Sequence, residues 1–269
     1  MTADFSWRDP SGWCVPGPAE VDVWRASLDV SASLAARLAR PLGPEERARA
    51  QRFRSGADQR RFTVARGVLR ALIASYVGLP ARALRLSEGI HGKPQLVPPT
   101  ADAPHPELTF NVSHSGELAL YAIARGRQVG IDLERMDATT DIEALARRFF
   151  SDAERSGFDS VEHERRTAAF YRVWTAKEAY LKARGLGLSL PLCSFDVALR
   201  SGEPTRLMAG GLTGRVESRW TLVELPAGPG YAAALAMEGT PRRVRLWRWN
   251  ESTVRTLAIA LAQRLSYSS

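Results

Sequence analysis

The chain runs to 269 residues, 45% of them apolar, with a formal net charge of +8 and two cysteines. That length suits one large domain or two fused halves with a full core, no apolar run approaches the roughly 20 residues of a membrane-spanning helix, and Cys14 and Cys193 fit neither a disulfide framework nor a cysteine metal site. The positive charge points to an anionic partner: nucleic acid, an acidic protein surface or a phosphate-rich small molecule.

The opening residues, MTADFSWRDP, have neither a basic nor an apolar leader segment, so a cytoplasmic, soluble protein is expected. Residues 1–20 read as an extension, loosely packed in spite of Trp7 and Trp13. VDVWRASL (21–28) reads as a strand. In RRFTVARGVLRALIASYVG (60–78), Phe62, Ala65, Val68, Leu69, Leu72, Ile73 and Tyr76 recur at helical spacing before Gly78 and Pro80 end the helix. Its other face carries Arg60, Arg66 and Arg70 and is expected to be solvated.

Residues 97–107 are a proline-rich loop. Strands are predicted at 109–113, 118–124 and 129–134, helices at 142–150 and 167–183, a hairpin around PAGPG, a strand at RVRLWRW and an amphipathic helix over 252–265. Strands and helices mix without regular βαβ alternation, which gives an α+β class.

In Val-Gly-Ile-Asp-Leu-Glu (129–134) the strand period of two sets Gly130, Asp132 and Glu134 on one face, two carboxylates side by side. The missing side chain at Gly130 leaves room for a ligand. Paired carboxylates suit a hard cation such as magnesium; the plain alternative is an exposed strand edge with solvated acids. In Trp-Thr-Ala-Lys-Glu-Ala-Tyr-Leu-Lys (174–182), Glu178 and Lys182 share a helix face at i, i+4, with Lys177 and Trp174 nearby. A third carboxylate and a lysine serve metal-assisted phosphoryl chemistry; a surface salt bridge is the alternative. Lys93 in His-Gly-Lys-Pro-Gln (91–95) and His114 in Asn-Val-Ser-His-Ser-Gly (111–116) lie in turns fit for phosphate contacts. Lysine is rare here: only Lys93, Lys177 and Lys182 among 37 basic residues.

Taken in order, GKP (92–94), FNVSHSG (110–116), VGIDLE (129–134) and WTAKEAYLK (174–182) resemble the signature of the 4′-phosphopantetheinyl transferase superfamily, and the length resembles its Sfp-type branch. The resemblance covers roughly residues 20 to 240. It implies a monomer of two similar α+β halves in pseudo-twofold arrangement, 21–128 and 129–249, with the site between them and a C-terminal helix over 250–269. It also implies an enzyme that moves the phosphopantetheine arm of coenzyme A to a serine of an apo carrier protein, acyl, polyketide or peptidyl, releasing adenosine 3′,5′-bisphosphate.

By the same resemblance Asp132, Glu134 and Glu178 hold magnesium, with manganese as the alternative. Asp132 also meets the coenzyme A pyrophosphate, Lys182 the transferring phosphate, and Glu178 helps deprotonate the serine. Lys93 meets the nucleotide, and Ser113, His114, Arg61 and Arg49 the 3′-phosphate. Glu46 departs from the basic residue this branch can carry in the coenzyme A pocket. The expected partners are acidic carrier proteins, not nucleic acid or membrane. A metal-dependent nuclease and a non-catalytic module for an acidic protein are the competing readings; against the nuclease, Glu178 and Lys182 lie on a helix and not a strand.

Overall fold

The computed structural model describes residues 6–10, 15–89, 92–97, 108–185, 190–197, 207–208 and 220–253. The first half runs from strand β1 (Glu20–Ser27) through helices α1 (Ala32–Ala39), α2 (Pro44–Gln51) and the long α3 (Gly56–Val77). A two-stranded ribbon, β2 (Arg85–Glu88) and β3 (Pro94–Val97), and a hairpin, β4 (Leu108–Ser115) and β5 (Leu118–Arg125), complete it. The second half repeats that order: β6 (Val129–Arg135), α4 (Ile142–Phe149), α5 (Asp152–Asp159), the long α6 (His163–Arg184), a ribbon of β7 (Asp196–Val197) and β8 (Leu207–Met208), then β9 (Trp220–Glu224) and β10 (Tyr231–Glu238). A last strand, β11 (Arg243–Trp249), follows.

Pairing repeats too. β1 and β4 flank β5, β6 and β9 flank β10, and all four pairings are antiparallel. The mixed α+β class expected from the sequence is the class observed. The two sheets share a core in which Val21, Val23 and Ala122 meet Ile131, Leu133 and Leu235. Alternate residues face outward, Trp24 and Tyr121 against α3, and Ala234 and Ala236 against α6. The layers are therefore helix, sheet, sheet, helix.

The long helices follow their local signals. Ser55 Oγ accepts from Asp58 N at 3.4 Å at the start of α3, Gly78 closes it at φ +75°, and Gly185 closes α6 at φ +64°. Helices α1, α2 and α5 were not read from the sequence. Caps define two of them: Ser31 accepts from Leu34 N at 3.2 Å, and Ser151 and Glu154 form a capping box on α5.

A buried ion pair is also duplicated. Glu46 in the first turn of α2 accepts from Arg70 Nε at 2.6 Å, and Arg70 donates to the Ala81 and Leu84 carbonyls. Glu154 in the first turn of α5 meets Lys177 Nζ at 2.7 Å, and Lys177 donates to the Leu192 and Phe195 carbonyls. Arg70 and Lys177 hold the same position in two 22-residue helices. Each ties a long helix to a short one and to the turn that follows, and Glu46 Oε1 is left without a hydrogen bond, 3.6 Å from Arg66 Nε. The arginine face expected to be solvated is accordingly buried at Arg66 and Arg70, and only Arg60 stays exposed.

Two further expectations change. β11, grouped by sequence with the second half, lies parallel beside β1 of the first. Fully buried Asp22 anchors it, accepting from Arg245 Nε at 2.6 Å and Trp247 Nε1 at 2.8 Å. Residues 6–10 are not loose: Arg8 bridges the outer edge of β11, and Trp7 is buried with its indole donating to the Pro226 carbonyl at 2.7 Å. The sheet edge is thereby covered. The helix expected over 252–265 lies outside the described residues beyond 253.

Candidate active site

Gly130 fixes the geometry of the site. A Cβ there would stand 2.1 Å from the Ala179 carbonyl oxygen and 2.2 Å from Ala183 N, so the room that sequence reading assigned to a ligand is filled by the backbone of α6. This close crossing sets the Glu178 to Lys182 turn of α6 against the face of β6 that carries Asp132. Lys182 Nζ reaches Asp132 Oδ1 at 2.5 Å and Ser113 Oγ at 3.1 Å, and Ser113 Oγ donates to the same Asp132 oxygen at 3.0 Å. Asp132 is 2% exposed, and its Oδ2 is buried without a hydrogen-bond partner.

Glu134 and Glu178 are near enough to feel that charge. Burial first, then Asp132, pushes both carboxyls above their ordinary range; Ser115 and Lys182 pull Glu134 back, and Lys182 does so for Glu178. A cation among three such oxygens would relieve the repulsion. Among the described residues no group of three or more His, Cys, Asp or Glu is already drawn to coordinating distance. The donors themselves, a buried orphan oxygen and two destabilised carboxylates, fit a hard divalent ion.

The serine motif on β4 does a second job. β4 and β6 are edge strands of different sheets, and every second side chain of β4 crosses the seam: Asn111 Oδ1 accepts from Ile131 N at 2.7 Å, Ser113 meets Asp132, and Ser115 Oγ accepts from Arg135 N and donates to Glu134, each at 3.0 Å. Ser113, expected at a phosphate, is thus on the Asp132 carboxylate. Asn111 went unnoticed in the sequence, although its spacing of two from Ser113 carried the signal.

Above the seam opens a cleft of about 390 Å³ between α2, α3, β4 and the ribbon on one side and α6 on the other. That volume falls in the range of small-molecule sites. Lys93 lies on its wall, donating to the Val129 carbonyl at 2.9 Å, and burial pulls its pKa down to about 8. His114 is exposed on the wall, yet the protein mass around the cleft and then Lys182, Arg49 and Arg66 hold its pKa below the ordinary value. Arg49 lines the cleft, its guanidinium 5.5 Å from the Phe62 ring centroid.

Arg61 does not reach this cleft. It lies one turn before Ala65, and its long side chain sits 3.8 Å from both Asp58 and Glu117. Arg66 takes the place on the wall, a residue that sequence reading left on a solvated face. Glu46 is no pocket residue either, being buried on Arg70.

Only the second half carries the candidate acids and lysine. Trp24 is the counterpart of Asp132, since each pairs with the fourth residue of an eight-residue partner strand, Tyr121 and Ala234 respectively. The helix positions of Glu178 and Lys182 are Ala71 and Ser75 in α3. Trp24 and Tyr76, joined by a 2.8 Å hydrogen bond, fill the first half with core.

Family models fall on the two halves in turn. Residues 24–125 match the model described as 4′-phosphopantetheinyl transferase, N-terminal, and residues 128–236 match the 4′-phosphopantetheinyl transferase superfamily. The chain belongs to the 4′-phosphopantetheinyl transferases. It is 38% identical to the 4′-phosphopantetheinyl transferase HetI of Nostoc sp. strain PCC 7120 over 230 residues, 86% of this chain and 92% of that one. It is 35% identical to the transferase Sfp of Bacillus subtilis strain 168 over 158 residues, 59% of this chain and 66% of that one. The holo-(acyl-carrier-protein) synthase of Bacillus anthracis strain Ames, solved in complex with CoA (3′,5′-ADP), is similar over 42% of this chain and 96% of that one, with 21% identity and a TM-score of 0.35. The protein is therefore a transferase that moves the phosphopantetheine arm of coenzyme A to carrier proteins.

Proposed function

We propose that the reaction centre is the Asp132, Glu134, Glu178 and Lys182 cluster, with magnesium held by the three carboxylates and coenzyme A lying along the cleft toward Lys93, His114, Arg49 and Arg66. The observation that carries this reading is the triple contact of Lys182, Ser113 and Asp132 beside the orphan Asp132 Oδ2. Magnesium, when bound, neutralises pyrophosphate charge and orients the two phosphates. Manganese offers the same oxygen preference.

The carrier serine hydroxyl attacks the phosphorus joined to pantetheine. The new Ser Oγ–P bond forms as the bridging P–O bond breaks, and adenosine 3′,5′-bisphosphate leaves with the bridging oxygen. Glu178 accepts the hydroxyl proton, a role favoured by the lift that burial and Asp132 give its carboxyl. The Lys182 ammonium faces the transferring phosphate and opposes the charge that gathers there. Lys93 and the arginines hold the nucleotide end, so that the reacting atoms meet in line. The net charge of +8 suits acidic carrier domains, drawn in by long-range attraction. Duplication within one chain brings the elements of both halves to one cleft, which is consistent with a monomer. No helix among the described residues is long and apolar enough to cross a membrane, and a cytoplasmic location is part of the same proposal.

The test is intact-mass measurement of apo acyl, polyketide and peptidyl carriers incubated with the protein, coenzyme A and magnesium. A gain of one phosphopantetheine on a serine, lost with chelator and with Asp132→Ala, is the expected result. Full activity of Asp132→Ala would remove the cluster from the mechanism.

A further inference from the structure

The cleft that is to receive a polyanion contains an acid at its nucleotide end. Glu88 closes β2, one side of the ribbon whose turn presents Lys93, and its side chain is 43% exposed. One oxygen, Oε1, accepts from both Arg49 Nη1 and Arg66 Nη2, the latter at 3.1 Å. The two guanidiniums lie 5.5 and 5.8 Å from the Phe62 ring centroid and converge on that oxygen. Arg66 is firmly placed, with an 11% exposed side chain and Glu46 Oε1 3.6 Å from its Nε. Arg49 is half exposed. Two arginines focused on one oxygen are the geometry of a phosphate site, and a tethered carboxylate already satisfies it.

We propose that Glu88 is a specificity-determining residue, a built-in competitor for the 3′-phosphate of coenzyme A at Arg49 and Arg66. This rests on the reading of the cleft as the coenzyme A site. The carboxylate carries one charge, and a phosphomonoester carries nearly two with three acceptor oxygens, so the phosphate prevails while singly charged groups do not. The displaced Glu88 stays beside the phosphate as a like charge. Binding is thereby weakened for every ligand that bears the phosphomonoester, the product adenosine 3′,5′-bisphosphate included, and product leaves faster. An uncharged ribose at that end neither displaces Glu88 nor feels it.

The experiment compares the full chain with Glu88→Gln, which keeps shape and removes charge. Titration calorimetry measures coenzyme A, 3′-dephospho-coenzyme A and adenosine 3′,5′-bisphosphate on each, and thermal melts check the fold. The expected result is roughly tenfold tighter binding of the two phosphomonoesters by Glu88→Gln, with dephospho-coenzyme A changed by less than about twofold. Product inhibition strengthens in parallel, and kcat and KM for coenzyme A both fall. Adding Arg49→Gln should shrink the gain, as coupled neighbours do. Equal or weaker coenzyme A binding by Glu88→Gln would overturn the proposal and make Glu88 an orienting partner of the arginines. A wild-type protein that binds coenzyme A and its dephospho form alike would overturn it too, and failure to bind either would instead strike at the coenzyme A reading beneath it.

Discussion

Replacing Gly130 with alanine adds one methyl group directly against the backbone of α6. The Cβ would meet the Ala179 carbonyl oxygen at 2.1 Å, Ala183 N at 2.2 Å and Ala183 Cα at 2.8 Å. Since ordinary contact starts near 3.4 Å, the α6 backbone must retreat by about 1.3 Å. Helix α6 moves as a unit, so Glu178 and Lys182 go with it, and the 2.5 Å contact of Lys182 with Asp132 opens by about 1 Å. Misplacement on that scale costs on the order of 10²-fold in rate. Overpacking costs roughly 1–3 kcal/mol, or about 2–4 °C of Tm per kcal/mol for a chain of this size. Initial rates of carrier mass gain at saturating coenzyme A, with melts followed by circular dichroism, measure both. Coenzyme A binding at the arginine end should survive. A rate within about threefold of wild type at unchanged Tm would refute the claim that the Gly130 crossing positions the reacting groups.

Gly157 is the control: it lies exposed on α5 with nothing within 4 Å of a built Cβ, so Gly157→Ala should raise stability by about 0.5–1 kcal/mol through helix propensity, read as a higher Tm at unchanged rate. Lys177→Met leaves Glu154 buried without its cation and two carbonyls without a donor, and urea unfolding should show a loss of about 3 kcal/mol or more. Lys93, with its pKa pulled by burial to about 8, is charged below that pH and neutral above it, so the Kd for coenzyme A should rise as pH passes about 8. Lys93→Arg keeps its charge and should flatten that rise in a calorimetric pH series.

How far the site was legible depended on what each residue answers to. Asp132, Glu178 and Lys182 declared themselves through strand and helix periods, because the period fixes which side chains share a face. The same logic failed for Arg61 and Arg66. Arg61 is held at Asp58 and Glu117, away from the cleft, while Arg66 is held at Glu46 and Glu88 on its wall. Lys177 sits one position before Glu178 and looked equally chemical, yet one step along a helix turns it into the core, onto Glu154. The Arg66 and Arg70 face read as solvated since arginine is usually exposed. It is buried because Glu46, 20 or more residues away in the chain, supplies the matching charge.

By itself the sequence determined the α+β class, the long helices with their glycine stops, the carboxylate pair on β6 and the acid and lysine of α6. These depend on neighbours a few residues apart, where backbone geometry leaves little choice. The tertiary structure decided the rest. It set which strand edges meet at the Asn111, Ser113 and Ser115 seam, sent β11 back to the first half and gave Gly130 to a helix instead of a ligand. It also turned Glu88 toward two arginines. Those outcomes depend on groups far apart in the chain, whose burial and charge balance are settled only when both halves have packed.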